Sequence, residues 1–252
     1  MASIHLENAS VAIPIYDASS RSLKKRLFSN ATGGRIHPDP DSAKLSVVQA
    51  LDGVTLSFRH GDRVGLIGHN GAGKTTLLRL LAGIYEPTGG TVRVDGHVAP
   101  LFDITLGMDP EGTGYENIML RGLFLGLSER EIEERMDAIA EFTELGGFLD
   151  LPIRTYSAGM RIRLAFAVST SIDPDILLLD EGIGAGDAAF LEKANRRLQE
   201  FTSRAAIIVL ASHSEQLVKQ VCSTAVLMDH GRVVSTGETQ AMLDLYRARV
   251  RA

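Results

Sequence analysis

The chain has 252 residues, with 26 lysines and arginines against 31 aspartates and glutamates, which gives a formal net charge of −5. This length suits one large domain or two modest ones, and a composition of 44% hydrophobic and 23% charged residues excludes a disordered or fibrous protein. The slightly acidic balance argues against a nucleic-acid partner, and the single cysteine excludes an internal disulfide framework and fits a reducing compartment.

The N-terminal region lacks the basic start and the apolar stretch of a secretory signal. The longest apolar run, residues 205–211, is far shorter than the roughly 20 residues that span a bilayer. We therefore expect a cytoplasmic protein that reaches a membrane only through a partner.

Residues 4–15 carry apolar side chains at near-even spacing, which predicts a strand.

Residues 19–28 differ from their surroundings, because four cations lie within six residues and Leu23, Leu27 and Phe28 recur at helical spacing. We interpret this segment as a solvated, charged surface turn. The alternative is a short amphipathic helix at a membrane interface. Residues 30–44 contain two glycines and two prolines and are predicted to form a loop.

From residue 47 onward, short apolar strands alternate with helical patterns, which indicates an α/β fold with a largely parallel sheet. A hairpin is predicted over residues 91–98 around Asp95-Gly96, and Ser128 with Glu131 forms a capping box at a helix start. The predicted strands are residues 54–58, 64–67, 176–179 and 207–210, and the predicted helices are residues 75–82 and most of 115–147.

A glycine-rich loop lies between the predicted strand 64–67 and the predicted helix 75–82. It matches the pattern G-x-x-x-x-G-K-[ST], in which backbone N–H groups and a helix start surround phosphate oxygens. Lys74 is predicted to reach the β- and γ-phosphates of a nucleoside triphosphate, and the Thr75 hydroxyl to bind Mg²⁺. The residues assigned to the nucleotide are Gly68, His69, Asn70, Gly71, Ala72, Gly73, Lys74, Thr75 and Thr76.

Two carboxylates follow the apolar run 176–179. A continuous apolar run indicates a strand buried on both faces, and ligands of α/β sheets bind at the carboxyl ends of such strands. Asp180 is therefore predicted to hold Mg²⁺, and Glu181 to polarise the water that attacks the γ-phosphate.

Ser157, Ala158 and Gly159 open a helix-like run. In order with the phosphate loop and the two carboxylates, this segment resembles the signature of ATP-binding cassette (ABC) ATPases, and the resemblance covers roughly residues 1–240. It implies that the segment contacts the γ-phosphate of ATP held by a second copy. It further implies that Asp187 lines the dimer contact, that His213 is the switch histidine of catalysis, and that Asp103 replaces the usual glutamine near the metal.

The resemblance implies an α/β fold of the P-loop NTPase type, with a mainly parallel core sheet, an antiparallel β part and an inserted α-helical subdomain. We expect one ABC ATPase domain over residues 1–252, in which 1–102 and 171–252 form the core and 103–170 form the helical subdomain. The adenine-stacking residue is assigned to Tyr16, with Ile13 at the competing register.

Finer details resemble the ATPase subunits of exporters for O-antigen, capsule and teichoic acid polysaccharides, among them the signature Tyr-Ser-Ala-Gly-Met and the sequence of residues 180–187. The implied function is ATP hydrolysis that powers export of a lipid-linked polysaccharide. The implied partners are a transmembrane permease, a second copy in a head-to-tail ATP-bound dimer and, through the permease, the glycolipid. The implied location is peripheral, at the cytoplasmic face of the inner membrane.

The alternatives are an exporter ATPase for teichoic acid or another substrate, a soluble ABC ATPase outside transport, and a non-catalytic regulator. Some O-antigen ATPases carry a C-terminal carbohydrate-binding domain, which we do not expect in a sequence that ends at Ala252. Cys222, Met228 and Met242 are predicted to be core residues. The remaining histidines show no metal-ligand spacing, so they predict no metal site: His5, His37, His60, His69, His97 and His230.

Overall fold

A computed structural model describes residues 1–16, 36–38, 45–180 and 188–251; the basic segment 19–28 lies outside the described residues. The strands are β1 (Ser3–Tyr16), β2 (Ile36–Pro38), β3 (Leu45–Arg59), β4 (Arg63–Ile67), β5 (Gly89–Asp95), β6 (Val98–Leu101), β7 (Ile176–Asp180), β8 (Ile207–Ala211), β9 (Thr224–Asp229) and β10 (Arg232–Glu238). The helices are α1 (Lys74–Leu81), α2 (Gly114–Phe124), α3 (Glu129–Thr143), α4 (Ala158–Ser169), α5 (Ala188–Arg204), α6 (Glu215–Val221) and α7 (Thr239–Arg251).

The chain forms two compact units, one of Met1–Asp95 with Val209–Ala252 and the other of Gly96–Ile208. Parallel and antiparallel strands alternate with helices, so the predicted α/β class is confirmed. The domain boundaries expected from the sequence, at residues 103 and 170, stay a prediction. No helix of the described residues is both long and apolar enough to cross a bilayer.

The first unit contains an antiparallel sheet in the order β2-β3-β1-β5. The predicted strand 4–15 is confirmed as β1, whose inward side chains Ile4, Leu6 and Val11 are buried. In the same unit, β9 pairs in parallel with β4 and antiparallel with β10. The core predictions for Cys222, Met228 and Met242 are confirmed, since all three side chains are buried.

Two predictions around turns are wrong. Asp95-Gly96 does not close a hairpin, because β5 pairs with β1 whereas β6 pairs in parallel with β7. An Asp-Gly pair marks a sharp turn without deciding where the flanking strands find their partners. The predicted loop 30–44 contains the strand β2, which ends in Pro38 and pairs with β3 at the edge of the sheet. An edge strand tolerates proline because one side of its backbone has no strand to bond.

The second unit contains the predicted helical stretch 115–147, which is confirmed as α2 and α3. The predicted capping box of Ser128 and Glu131 is confirmed at the start of α3. A second capping box, of Thr113 and Glu116, begins α2. Each box satisfies backbone N–H groups at a helix start and fixes where the helix begins.

Asn117 is fully buried in α2 and organises the loop that precedes this helix. Its side-chain carbonyl accepts from the Asp109 N–H at 2.8 Å. Its amide nitrogen lies 2.9, 3.1 and 2.8 Å from the carbonyl oxygens of Asp109, Gly112 and Thr113, which share its two N–H groups. One side chain therefore bonds one N–H and three carbonyls of the loop backbone.

We predict that Asn117→Asp lowers the free energy of unfolding by about 3 kcal/mol at pH 7, because a buried carboxylate would face three carbonyl oxygens and lose its donors. Burial and those oxygens raise the folded-state pKa of the new carboxyl, so the lost stability returns in part as the pH falls through that pKa. Urea unfolding at pH 5 and pH 7 measures both effects.

The matched control is Asn195→Asp, the same change at an exposed position of α5, which should alter stability by no more than about 0.5 kcal/mol. Equal losses for the two variants would contradict the role given to Asn117.

Candidate functional site

The glycine-rich loop connects the end of β4 to the start of α1 in the first unit. Four of the five residues of β4 are buried, so the strand gives the loop a fixed origin. Helix α1 begins at Lys74, and the residue that caps it, Gly73, has no side chain that could accept from the first-turn N–H groups. A helix start without a side-chain cap offers its N–H groups and positive dipole end to an anion.

The loop packs against the backbone of the turn between β9 and β10. Gly68 has φ +148°, and a Cβ there would lie 2.3 Å from the Met228 carbonyl oxygen. The Gly231 N–H donates to the Ala72 carbonyl at 2.9 Å. These contacts require that the loop and the turn approach without side chains between them, so glycine at both positions sets the loop's path.

The side chain of Lys74 lies inside the loop and is only 7% exposed. Its ammonium group donates to the carbonyls of Gly68 at 2.7 Å and His69 at 3.1 Å. A cation surrounded by loop backbone is what the predicted phosphate contact needs, since an incoming phosphate oxygen exchanges for a carbonyl oxygen. Thr75 and Thr76 follow in the first turn of α1, and both are half-buried.

His69 meets Asp229 and His230, which sequence reasoning did not assign to the site. Its Nδ1 lies 2.7 Å from the Asn70 carbonyl oxygen, and its Nε2 lies 2.9 Å from Asp229 Oδ1. The same carboxylate oxygen lies 2.6 Å from His230 Nδ1. Two of the histidines without metal-ligand spacing in the sequence therefore lie close in the fold, with ring centroids 4.9 Å apart.

Burial raises the pKa of Asp229, but hydrogen bonds from His69 and His230 outweigh it, so the pKa lies below its ordinary value. His230 and Gly231 form a two-residue turn in which both have positive φ, 47° and 80°. A histidine-glycine pair after a buried strand is a turn signal, but nothing local shows that the turn meets the loop 160 residues earlier.

His213 is exposed and lies between β8 and α6. The Ser212 hydroxyl accepts from the Ser214 N–H at 2.9 Å, and the Ser214 hydroxyl accepts from the Leu217 N–H at 3.3 Å. These two bonds shape a tight turn and cap α6, which holds the backbone of His213 between them. The buried strand predicted ahead of His213 is confirmed as β8, and the catalytic role of His213 stays a prediction.

In the second unit, Asp180 is the half-buried last residue of β7, after four buried apolar residues. Ser157 is the N-cap of α4, and its hydroxyl accepts from the Met160 N–H at 3.2 Å. Ser157 and Ala158 are exposed and Gly159 is half-buried, so this helix start is open to a ligand. The preceding Tyr156 is buried and donates to the Phe148 carbonyl.

Of the remaining predicted residues, the structure describes Asp103 in full. Asp103 is exposed in a turn after β6, with φ +48°, and its carbonyl accepts from the Leu106 N–H at 2.8 Å. Glu181 and Asp187 lie outside the described residues, as does the side chain of Tyr16, whose backbone belongs to β1. Their roles stay predictions.

A surface cavity of about 530 Å³ lies beside α2 in the second unit. Leu120 and Leu123 on its wall are each 42% exposed, which is unusual for large apolar side chains on one helix face. The lining combines acidic and apolar residues: Asp109, Glu111, Gly112, Glu116, Asn117, Met119, Leu120 and Leu123.

Comparison with known proteins identifies relatives for most of the chain. A family model described as ABC transporter matches residues 51–184. The chain is 47% identical over 233 residues to the O-antigen export system ATP-binding protein of Yersinia enterocolitica. The aligned region covers 92% of this chain and 97% of that protein. It is 40% identical over 207 residues to the teichoic acids export ATP-binding protein of Listeria innocua serovar 6a, which covers 82% of this chain and 62% of that protein.

A solved structure with the same fold is an ATP-binding cassette in a dimeric post-hydrolysis state, bound to ADP and Pi. It matches with a TM-score of 0.65 at 19% identity, over 94% of this chain and 98% of that one. At this identity the match shows the fold alone.

We predict that Gly231→Ala lowers the free energy of unfolding by about 3 kcal/mol, because φ is +80° there and the new Cβ would lie 2.6 Å from the Ala50 carbonyl oxygen. Gly61→Ala is the control: φ is +97° and nothing lies within 4 Å of the added Cβ, so only the backbone strain of about 1 kcal/mol remains. Urea unfolding of both variants measures the difference, and equal losses would show that the turn does not press on its neighbours.

Proposed function

This chain belongs to the ABC transporter family, and from that premise we propose that it is the ATP-hydrolysing subunit that powers export of a lipid-linked, O-antigen-like polysaccharide through a separate membrane subunit. The observation that carries the proposal is the position of Lys74, whose ammonium lies inside a glycine-rich loop at an uncapped helix start. The similarity to the Yersinia protein over nearly the whole chain supports the choice of cargo.

In the proposed site, the loop residues 68–76 hold the β- and γ-phosphates of ATP, and Tyr16 stacks on the adenine. Thr75 and Asp180 are the Mg²⁺ ligands in this proposal, and Asp103 is a further candidate; hydroxyl and carboxylate oxygens are the donors that this hard cation prefers. When bound, the cation neutralises charge on the phosphate oxygens.

Glu181 polarises the attacking water in this proposal, and His213 contacts the γ-phosphate from the turn after β8. The donors around the transferred phosphoryl group, Lys74 among them, stabilise charge that develops as the terminal bond breaks. A second copy supplies Ser157, Ala158 and Gly159 from the exposed start of α4, with Asp187 at the contact. Each site therefore needs two chains in a head-to-tail dimer.

The proposed membrane contact is the cavity beside α2, together with the turn at Asp103. The cavity wall combines exposed leucines with acidic side chains, so it suits a segment of a transmembrane subunit that carries both apolar and polar side chains. Exposed apolar patches of this kind mark interaction sites. Binding there would place the protein at the cytoplasmic face of the membrane. Closure of the dimer on ATP and opening after hydrolysis would then change the state of that subunit.

The second candidate cargo is teichoic acid, favoured by the Listeria relative. The chain spans 62% of that protein's length, against 97% of the Yersinia protein, so the O-antigen class is the better match.

We predict that ATP hydrolysis per subunit rises with protein concentration, because each site needs two chains. Lys74→Met and Gly159→Asp should each abolish activity, while an equal mixture should recover about a quarter of the wild-type rate, since half of the dimers then carry one intact site. Colorimetric phosphate release measures these rates. Gly159→Asp should fold normally, because an added Cβ meets only the Ser157 hydroxyl at 3.8 Å.

No recovery in the mixture, with both variants folded and dimeric, would contradict a site shared between chains. A wild-type rate independent of concentration over a range in which the protein dissociates would do the same.

We also predict that Leu120→Glu lowers the membrane-bound fraction about tenfold in cells that contain the transmembrane subunit, because a carboxylate replaces an exposed leucine at the proposed contact. Leu217→Glu, on an exposed leucine of α6 in the other unit, is the matched control and should leave it unchanged. Sedimentation of washed membranes and immunoblotting give the fraction. Loss of membrane binding in both variants, or in neither, would place the contact elsewhere.

A further inference from the structure

We propose that His69, Asp229 and His230 form a binding site for a divalent transition-metal cation of the zinc class, which links the start of the glycine-rich loop to the turn between β9 and β10. One ligand atom from each residue lies within 4.8 Å of the other two. Imidazole nitrogens and a carboxylate oxygen are donors that zinc accepts. This site uses none of the Mg²⁺ ligands proposed above, and it shares His69 with the loop assigned to the nucleotide.

His69 has the two partners that a metal-bound histidine needs. Both ring nitrogens face acceptors, the Asn70 carbonyl oxygen at 2.7 Å and Asp229 Oδ1 at 2.9 Å. Which ring nitrogen carries a proton depends on the tautomer. With Nδ1 donating to the backbone carbonyl, a metal cation would take the place of the proton in the hydrogen bond between Nε2 and Asp229 Oδ1. A backbone carbonyl that accepts from the other ring nitrogen is the usual support of a metal-bound histidine.

The backbone that carries the three ligands is held in place before any metal binds. The Gly231 N–H donates to Ala72 at 2.9 Å, and the Asp52 N–H donates to the Gly231 carbonyl at 2.9 Å. Asp229 and His230 are adjacent residues of one tight turn, so their spacing is fixed by the hairpin. A site on such rigid elements spends little free energy on ordering its ligands.

The space around the three side chains suits a cation that keeps water in its remaining positions. The side chains of His69, Asp229 and His230 are 41%, 34% and 51% exposed. In a tetrahedral zinc site with ligands about 2 Å from the metal, neighbouring donor atoms lie roughly 3.3 Å from one another. The donor atoms of the three side chains therefore need to move by about an ångström through side-chain rotation. Arg249 lies 3.5 Å from Asp229 Oδ2, which leaves Oδ1, the oxygen nearest both imidazoles, for the metal.

The sole cysteine does not compete for the metal. Cys222 is buried, and burial raises the pKa of its thiol to about 12, so it remains protonated at neutral pH. Zinc binds the thiolate, and a buried protonated thiol is therefore a poor ligand.

The test is isothermal titration of zinc chloride into the untagged full chain without nucleotide, in a non-chelating buffer at pH 7.5. We expect one saturable site per chain. His230→Asn should weaken binding at least about tenfold, because it removes an imidazole while asparagine tolerates the left-handed backbone. His60→Asn, at an exposed histidine elsewhere in the same unit, should bind as the wild type does.

Urea unfolding of both variants checks that the fold is kept. Asp229→Asn is the second ligand variant and should also lose at least about tenfold in affinity. The proposal is overturned if the wild type takes up no zinc, or if both His230→Asn and Asp229→Asn bind as tightly as the wild type. Neither residue has a role in the proposed ATP site, so a negative result leaves the ATPase proposal standing.

Discussion

The close backbone approach of the glycine-rich loop to the turn between β9 and β10 is the contact on which the rest of the site depends. Gly68 lies against the Met228 carbonyl, and the Gly231 N–H donates to Ala72. Because the loop is fixed on that side, its carbonyl oxygens surround the Lys74 ammonium, and α1 starts where phosphate contacts are needed. The same approach brings His230 to His69.

In the helical region of the second unit, buried polar side chains, rather than close backbone contacts, fix the loops and helices relative to one another. Arg121 of α2 is 1% exposed, and it donates to the Ser169 hydroxyl at the end of α4 and to the Leu106 carbonyl. Burial lowers the pKa of its guanidinium to about 10, so it stays charged at neutral pH. Arg121 therefore bonds α2 to the turn after Asp103 and to α4, the helix that begins after Ser157. Asn117, on the same helix and in the cavity wall, adds its bonds to the preceding loop, so these elements form one hydrogen-bonded framework.

The sequence predicted best what is decided locally. The start of α1 after the glycine-rich loop, the capping box of Ser128 and the start of α4 at Ser157 each depend on a few consecutive residues with a known backbone preference. It failed where the outcome depends on distant partners. Asp95-Gly96 gave the turn but not the pairing of β5 with β1, and no local pattern linked His69 to a turn 160 residues away. The roles of Glu181 and Asp187 still rest on the resemblance.

The burial of Cys222 has a practical consequence for spectroscopy. The single thiol of the chain packs against Gly65 of β4, so close that a Cβ added to this glycine would lie 3.6 Å from the Cys222 Sγ. The thiol stays protonated at neutral pH. Maleimide and methanethiosulfonate reagents attack exposed thiolates. A cysteine introduced on the surface would therefore take up a fluorophore or spin label selectively, so distances between two copies become measurable without removing the native residue.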